Sequence, residues 1–196
     1  LVQNADVAMY QAKDDGKNTY KVYDHSMNAE ALERMVIESE IRKAIECREF
    51  TLHYQPIVSA KGGALVGLEA LIRWCHPRKG YIRPDIFISV AEESGLICEV
   101  GSLVIEMACE QLGRWLRMGI APSSVSVNLS GHQIRDHSMA NFLITCLRTH
   151  GVPPHMIAVE LTETATMENS DVAIEVLNRL RQIGIKVSMD DFGTGY

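Results

Sequence analysis

The sequence has no apolar run approaching the about 18 residues of a membrane span, and its start carries neither a basic stretch nor the apolar core of a secretory leader. A soluble piece is expected. It also lacks any C-x-x-C or paired Cys/His spacing. Cys47, Cys75, Cys98, Cys109 and Cys146 are odd in number and scattered, which excludes a recognisable zinc site or disulfide framework and fits a reducing cytosol. Basic excess is missing too: the formal net charge is -6. Sequence-blind binding to a nucleic-acid polymer needs a basic face that displaces counterions, so that class is set aside. An anionic ligand would need local help, such as a metal. No repeat, low-complexity tract or local Ser/His/Asp or Cys/His arrangement is present.

What is present reads as three segments. In residues 1–24, Asn4 to Tyr23 predict a helix with Ala5, Ala8, Met9 and Ala12 on one side, Gly16 as its C-cap, then a strand from Thr19 to Tyr23. Residues 25–49 place Leu32, Met35, Ile41, Ala44 and Ile45 at helical spacing, the pattern of a connecting helix. From Phe50 onward, short apolar runs alternate with amphipathic stretches, as in βα units around a parallel sheet. Strands are expected at Phe50 to Val58, Leu65 to Trp74, Val125 to Leu129, Ile157 to Leu161 and Ile185 to Asp190, with helices near Leu96 to Arg117 and Val172 to Ile183. Trp74 and Trp115 are assigned to the core. His25, His53, His76, His132, His137, His150 and His155 show no ligand spacing and are assigned to loops or the surface.

Four of these strands share a pattern: Val66-Gly67-Leu68-Glu69, Val125-Ser126-Val127-Asn128, Ile157-Ala158-Val159-Glu160 and Val187-Ser188-Met189-Asp190. With a side-chain period of two, the large apolar residues share one face, and the small residues share the other with the terminal oxygen donors. Small inside and large toward the helices suits an α/β barrel, in which Glu69, Asn128, Glu160 and Asp190 would converge at the mouth. Carboxylates gathered in a cleft raise each other's pKa unless a cation neutralises them, and an all-oxygen set with one amide suits Mg²⁺ or Mn²⁺.

Asp191 would point to the opposite face of a regular strand. Phe192-Gly193-Thr194-Gly195 supplies a tight loop that could turn it back beside Asp190 to serve a second ion. Arg73 has the strand parity of Glu69 and could hold a phosphate or pair with that carboxylate. Gln55, before Pro56, could add a neutral polar group. Glu163 could cap the next helix or brace the glycine loop. Asp191-Phe192-Gly193 also matches the magnesium motif of protein kinases, but no Gly-rich loop or H-R-D segment precedes it.

Tyr54-Gln55-Pro56-Ile57, Glu69-Ala70-Leu71-Ile72-Arg73-Trp74, Val127-Asn128-Leu129-Ser130, Glu160-Leu161-Thr162-Glu163 and Asp190 through Tyr196 resemble the EAL domain family; the likeness runs from about Ala31 to Tyr196. The resemblance implies a TIM-like barrel that hydrolyses cyclic di-GMP to linear pGpG with Mg²⁺ or Mn²⁺. It implies Glu69, Asn128, Glu160 and Asp190 as metal ligands, with Asp191 at the second ion. Gln55, Arg73 and Leu71 would contact substrate, and Glu163 would hold the loop after Asp191.

Residues 1–24, with Ala5-Asp6-Val7-Ala8-Met9-Tyr10, Ala12-Lys13 and Gly16-Lys17-Asn18, look like the end of a GGDEF diguanylate cyclase domain, where positions like Lys13 and Lys17 touch GTP phosphates. Residues 50–196 would then be the N-terminal part of an EAL domain, a partial barrel with about five of its eight strands, cut before closure. An unpaired edge after Asp190 would invite aggregation or pairing with another chain; a homodimer through the EAL domain is a separate expectation. The parent is expected in the cytoplasm, free or anchored to the inner membrane by other segments, with a GGDEF domain in cis. Two alternatives stay open: a silent or truncated module that binds cyclic di-GMP without cleaving it, and an unrelated metal-dependent barrel hydrolase.

Overall fold

Six residues, 59–64, separate the first two strands, too few for a crossover helix, and the chain turns straight back on itself there. The structure, a computed structural model, describes residues 5, 8–9, 12, 19–162 and 171–190, without the side chains of 25, 26, 30, 162 and 190. Strand β1 (Phe50–Val58) runs antiparallel to β2 (Leu65–His76), so the expectation of an all-parallel sheet is corrected: parallel neighbours need about a dozen or more connecting residues. A second reversal, unseen in the sequence, adds the short β3 (Gly80–Ile82), also antiparallel to β2.

Beyond this start the chain is the expected α/β alternation. The elements are α1 (His25–Cys47), α2 (Pro84–Glu93), α3 (Ile97–Met118), β4 (Val125–Leu129), α4 (Gly131–Ile134), α5 (Ser138–His150), a 3-10 turn Pro154–Met156, β5 (Ile157–Thr162), α6 (Asp171–Gln182) and β6 (Lys186–Asp190). The strand order is β1-β2-β4-β5-β6, with β2, β4, β5 and β6 parallel. Two helices end on a left-handed glycine, Gly119 after α3 (φ 71) and Gly151 after α5 (φ 67). A side chain there would be strained, and the reversal aims the chain at the following strand.

One face of the sheet is covered. Val125, Val127 and Leu129 of β4 and Ile157, Val159 and Leu161 of β5 pack with Val104, Ala108 and Leu112 of α3, Leu143 and Leu147 of α5, and Val176 and Leu180 of α6. Burial of each such side chain contributes about 1.5–3 kcal/mol. A second cluster joins Ile37, Ile41 and Ala44 of α1 to Phe50, Trp74, Phe87, Val90 and Val100. Trp74 lies in the core as expected; Trp115 is only partly buried, edge-on to Tyr54 at 4.8 Å between centroids.

The first segment departs from expectation. Ala5, Ala8, Met9 and Ala12 are helical, with Ala8 and Ala12 buried, but Thr19 to Tyr23 form no strand. Tyr20 and Val22 are 85% and 78% exposed, so their side chains bring no burial to a strand here. Lys13, Gly16 and Lys17 lie outside the described residues.

His76, assigned to the surface, is buried. Its Nδ1 accepts hydrogen bonds from the backbone amides of Arg78 and Lys79 at 3.2 and 3.0 Å, which builds the turn into β3 and leaves the ring proton on Nε2. That atom faces the Glu40 carboxylate of α1 at 3.5 Å, and Lys79 Nζ lies 2.6 Å from the other oxygen. The Lys79 hydrogen bond, opposed by burial and then reinforced by the charges of Lys79, His76 and Arg78, holds the Glu40 carboxyl below its ordinary value of 4.5. A depressed carboxyl stabilises the fold above the unfolded value, and that contribution is lost as pH falls through the folded one. Urea unfolding should therefore show a small loss of stability as pH falls below the ordinary carboxyl value of 4.5 that Glu40→Gln does not show, small because the pair is partly solvated.

Candidate active site

The face of the sheet turned away from α3, α5 and α6 carries the polar residues. By alternation, Gly67, Glu69, Leu71, Arg73 and Cys75 of β2 share it with Thr51, His53 and Gln55 of β1, Ser126 and Asn128 of β4, Ala158 and Glu160 of β5, and Lys186 and Ser188 of β6. The small residues read in the sequence lie on this side, and a Cβ on Gly67 would come within 2.9 Å of Ser124 Oγ and 3.1 Å of its carbonyl oxygen. Leu68 N donates to that same carbonyl at 2.9 Å. Glycine thus lets the approach to β4 close on β2.

Glu69 and Asn128 meet: Asn128 Nδ2 donates to Glu69 Oε1 at 2.9 Å. Gln55 stands directly opposite Glu69 across the antiparallel pair, where Cβ atoms lie about 5 Å apart. Glu160 is level with Asn128 on the next strand. The donors climb across the sheet, since Glu69 is opposite Ser126 rather than Asn128, and Asp190 is opposite Thr162 rather than Glu160. That stagger matches strands tilted to a barrel axis. It also corrects one expectation: Glu69 does not end its strand, because β2 continues to His76. Pairing with β1 and β3 extends β2 past the site, putting Leu71 and Arg73 on the same face further toward the mouth. Arg73 Nη1 donates to the Ile72 carbonyl at 2.9 Å and makes no pair with Glu69 among its hydrogen bonds.

The side chain of Asp190, and all of Glu163 and Asp191, lie outside the described residues. Among the described residues, no three His, Cys, Asp or Glu side chains gather as a cation site. The donor chemistry nonetheless fits a hard divalent ion. With the Asn128 nitrogen given to Glu69, the oxygen of that amide is the Asn128 atom that could face a cation, and Glu69 and Glu160 carry carboxylate oxygens.

The turn that follows β4 is closed by a capping box. Ser130 caps α4 in a capping box, with Gln133 Oε1 accepting from Ser130 N at 3.1 Å and Ser130 Oγ accepting from Gln133 N. Gln133 is buried at 4% exposure against Gly101 of α3, where a Cβ would lie 2.0 Å from its amide nitrogen. Only a glycine on α3 admits this side chain, which locks the turn after Asn128. The S-x-x-Q spacing at 130–133 was the available signal.

The EAL domain family model matches residues 38–196. Over all 196 residues the chain is 41% identical to the bifunctional diguanylate cyclase/cyclic di-GMP phosphodiesterase MucR of Pseudomonas aeruginosa and 39% identical to the cyclic di-GMP phosphodiesterase PdeR of Escherichia coli, covering 29% of each. It spans less than a third of the length of these curated relatives. In structure it is similar to the PaMucR phosphodiesterase in complex with c-di-GMP, with a TM-score of 0.76 and 39% identity, over 82% of this chain and 65% of that one. The FimX EAL domain of Xanthomonas citri, also in complex with c-diGMP, gives a TM-score of 0.76 at 25% identity, over 86% of this chain and 65% of that one. With its α/β sheet, the staggered oxygen donors on the open face and a family match over most of its length, this chain belongs to the EAL domain family.

Proposed function

We propose that the protein containing this chain hydrolyses cyclic di-GMP to linear pGpG with a divalent cation, Mg²⁺ or Mn²⁺, in second-messenger signalling. The observation that carries the reading is the bonded Glu69–Asn128 pair with Gln55 opposite and Glu160 level on the next strand. Similarity to MucR and PdeR, described as cyclic di-GMP phosphodiesterases, supports the substrate. Glu69, Asn128, Glu160 and Asp190 would hold the cation, with Asp191 beside Asp190 at a second one. Such an ion supplies charge neutralisation at a phosphoryl group and activation of water. Asn128 orients the Glu69 carboxylate through its amide. Gln55 and Arg73 offer hydrogen-bond donors to the phosphate and ribose, the guanidinium fork suiting two phosphate oxygens. Leu71, between them on the same face, gives an apolar contact, and Glu163 would hold the loop after Asp191.

The proposal extends to organisation. Residues 1–24 are the end of a GGDEF domain in cis, residues 25–49 connect, and residues 50–196 are the N-terminal part of the EAL domain. Whole-chain similarity to a bifunctional cyclase and phosphodiesterase supports this. The packing of Ile37, Ile41 and Ala44 onto Phe50 and Phe87 ties the connecting helix to the EAL body. No helix among the described residues is long and apolar enough to cross a membrane, in keeping with a cytoplasmic domain; a homodimer through the EAL domain belongs to the same reading and is checked by sedimentation.

The test is chromatographic: the full-length protein incubated with cyclic di-GMP should yield pGpG with Mg²⁺ or Mn²⁺ present and none after chelation. Binding without any pGpG would leave a sensor in place of an enzyme. Cleavage of other phosphodiesters but not of the cyclic dinucleotide would sink the substrate assignment.

A further inference from the structure

His53 and Tyr81 take no part in the roles above, yet they meet on the open face. They come from strands on opposite edges of β2, β1 and β3, and Tyr81 Oη shares a 3.0 Å hydrogen bond with His53 Nε2. Their ring centroids are 5.9 Å apart, with planes at 60°. Register locates the bridge: His53 is opposite Leu71 and Tyr81 is opposite Cys75, so the pair crosses β2 at the level of Arg73.

Tyr81 remains 53% exposed, a large ring held in place but open on one side. Its position is built in. β3 is aimed by the turn that the buried His76 closes through its bonds to the amides of Arg78 and Lys79. Partial desolvation first, then Cys75, raise the Tyr81 hydroxyl above its ordinary value, while Arg73 pulls it down.

We propose that the His53–Tyr81 pair is the shelf on which one purine ring of the substrate lies while Arg73 holds the neighbouring phosphate. The inference rests on the cyclic dinucleotide reading above. A nucleotide anchored by its phosphate at Arg73 carries its base within one nucleoside of that contact, and an exposed aromatic ring at the same level offers it a stacking surface. Phosphate by guanidinium and base by aromatic face are separable contributions, so they can be tested apart.

Stacking on an aromatic side chain contributes about 1–3 kcal/mol per base, so in the full-length protein Tyr81→Ala should raise both Kd and KM for cyclic di-GMP about tenfold or more, with kcat changed less than about threefold. Tyr81→Phe keeps the ring and should restore both constants to within about threefold. Kd is read by calorimetry and does not depend on turnover. Unchanged Kd in Tyr81→Ala overturns the proposal, and so does a Tyr81→Phe variant as weak as Tyr81→Ala, which would assign the effect to the hydroxyl bridge. If the unaltered protein binds cyclic di-GMP without cleaving it, the Kd comparison still decides the shelf while the hydrolytic reading fails. No binding by the unaltered protein overturns both.

Discussion

Glu69→Ala is expected to lower cleavage of cyclic di-GMP by the full-length protein on the order of 10³-fold or more, the scale reached when a group that stabilises developing charge is removed. Two of the proposed ligand positions suffer at once. The Glu69 carboxylate accepts from Asn128 at 2.9 Å, so its loss also releases the Asn128 amide. Asn128→Ala leaves the carboxylate in place without its orienting partner and should have a smaller effect, about 10- to 100-fold. Asp190→Ala should match Glu69→Ala. Folding should survive in Glu69→Ala, because the side chain stands on the open face; a thermal melt within a few degrees of the unaltered protein separates lost chemistry from lost structure. Turnover untouched by both Glu69→Ala and Asp190→Ala would refute the site.

Trp74→Ala should destabilise the protein by about 3–5 kcal/mol, measured by urea unfolding. Trp74 is wholly buried on the covered side of β2, one residue beyond Arg73. Its ring lies 5.5 Å from Phe50 and 5.6 Å from Phe87 between centroids, and its Nε1 donates to Glu49 Oε2 at 3.0 Å. Alanine would leave a cavity where α1, α2 and the sheet meet and would strand that carboxylate. Trp74→Phe retains most of the ring volume and should lose about 1–2 kcal/mol, largely for the missing hydrogen bond and a smaller void. A loss below about 1 kcal/mol for Trp74→Ala would contradict the close packing around it.

Much of this arrangement was legible because faces follow from a period of two. The alternation of Val125-Ser126-Val127-Asn128 and its counterparts placed Glu69, Asn128 and Glu160 on one side and the aliphatic residues under the helices, and the structure agrees. Levels along a strand do not follow from alternation. The stagger of Glu69 against Asn128, and of Asp190 against Glu160, is set by strand tilt and leaves no trace in local sequence. The direction of β1 could have been read: six residues containing Lys61-Gly62-Gly63 between two strands favour a hairpin over a crossover. His76 could not, since its burial depends on Glu40, a residue on a different element. Asp191 and Glu163 stay expectations of the sequence, lying outside the described residues.

The reversal at 59–64 also separates handling of the protein from its chemistry. Ser59 N donates to the Ala64 carbonyl and Gly63 N to the Ser59 carbonyl, both at 2.9 Å, so the turn closes on its own backbone, and a Cβ on Gly62 or Gly63 would meet nothing within 4 Å. It lies at the start of β2, at the end of the sheet away from Arg73, His53 and Tyr81. Lengthening an exposed turn of this kind adds little closure entropy, roughly 0.6 kcal/mol per doubling. An epitope tag, a fluorophore or a small reporter domain grafted between Lys61 and Gly62 would therefore ride on the protein without entering the face that carries Glu69, Asn128 and Glu160.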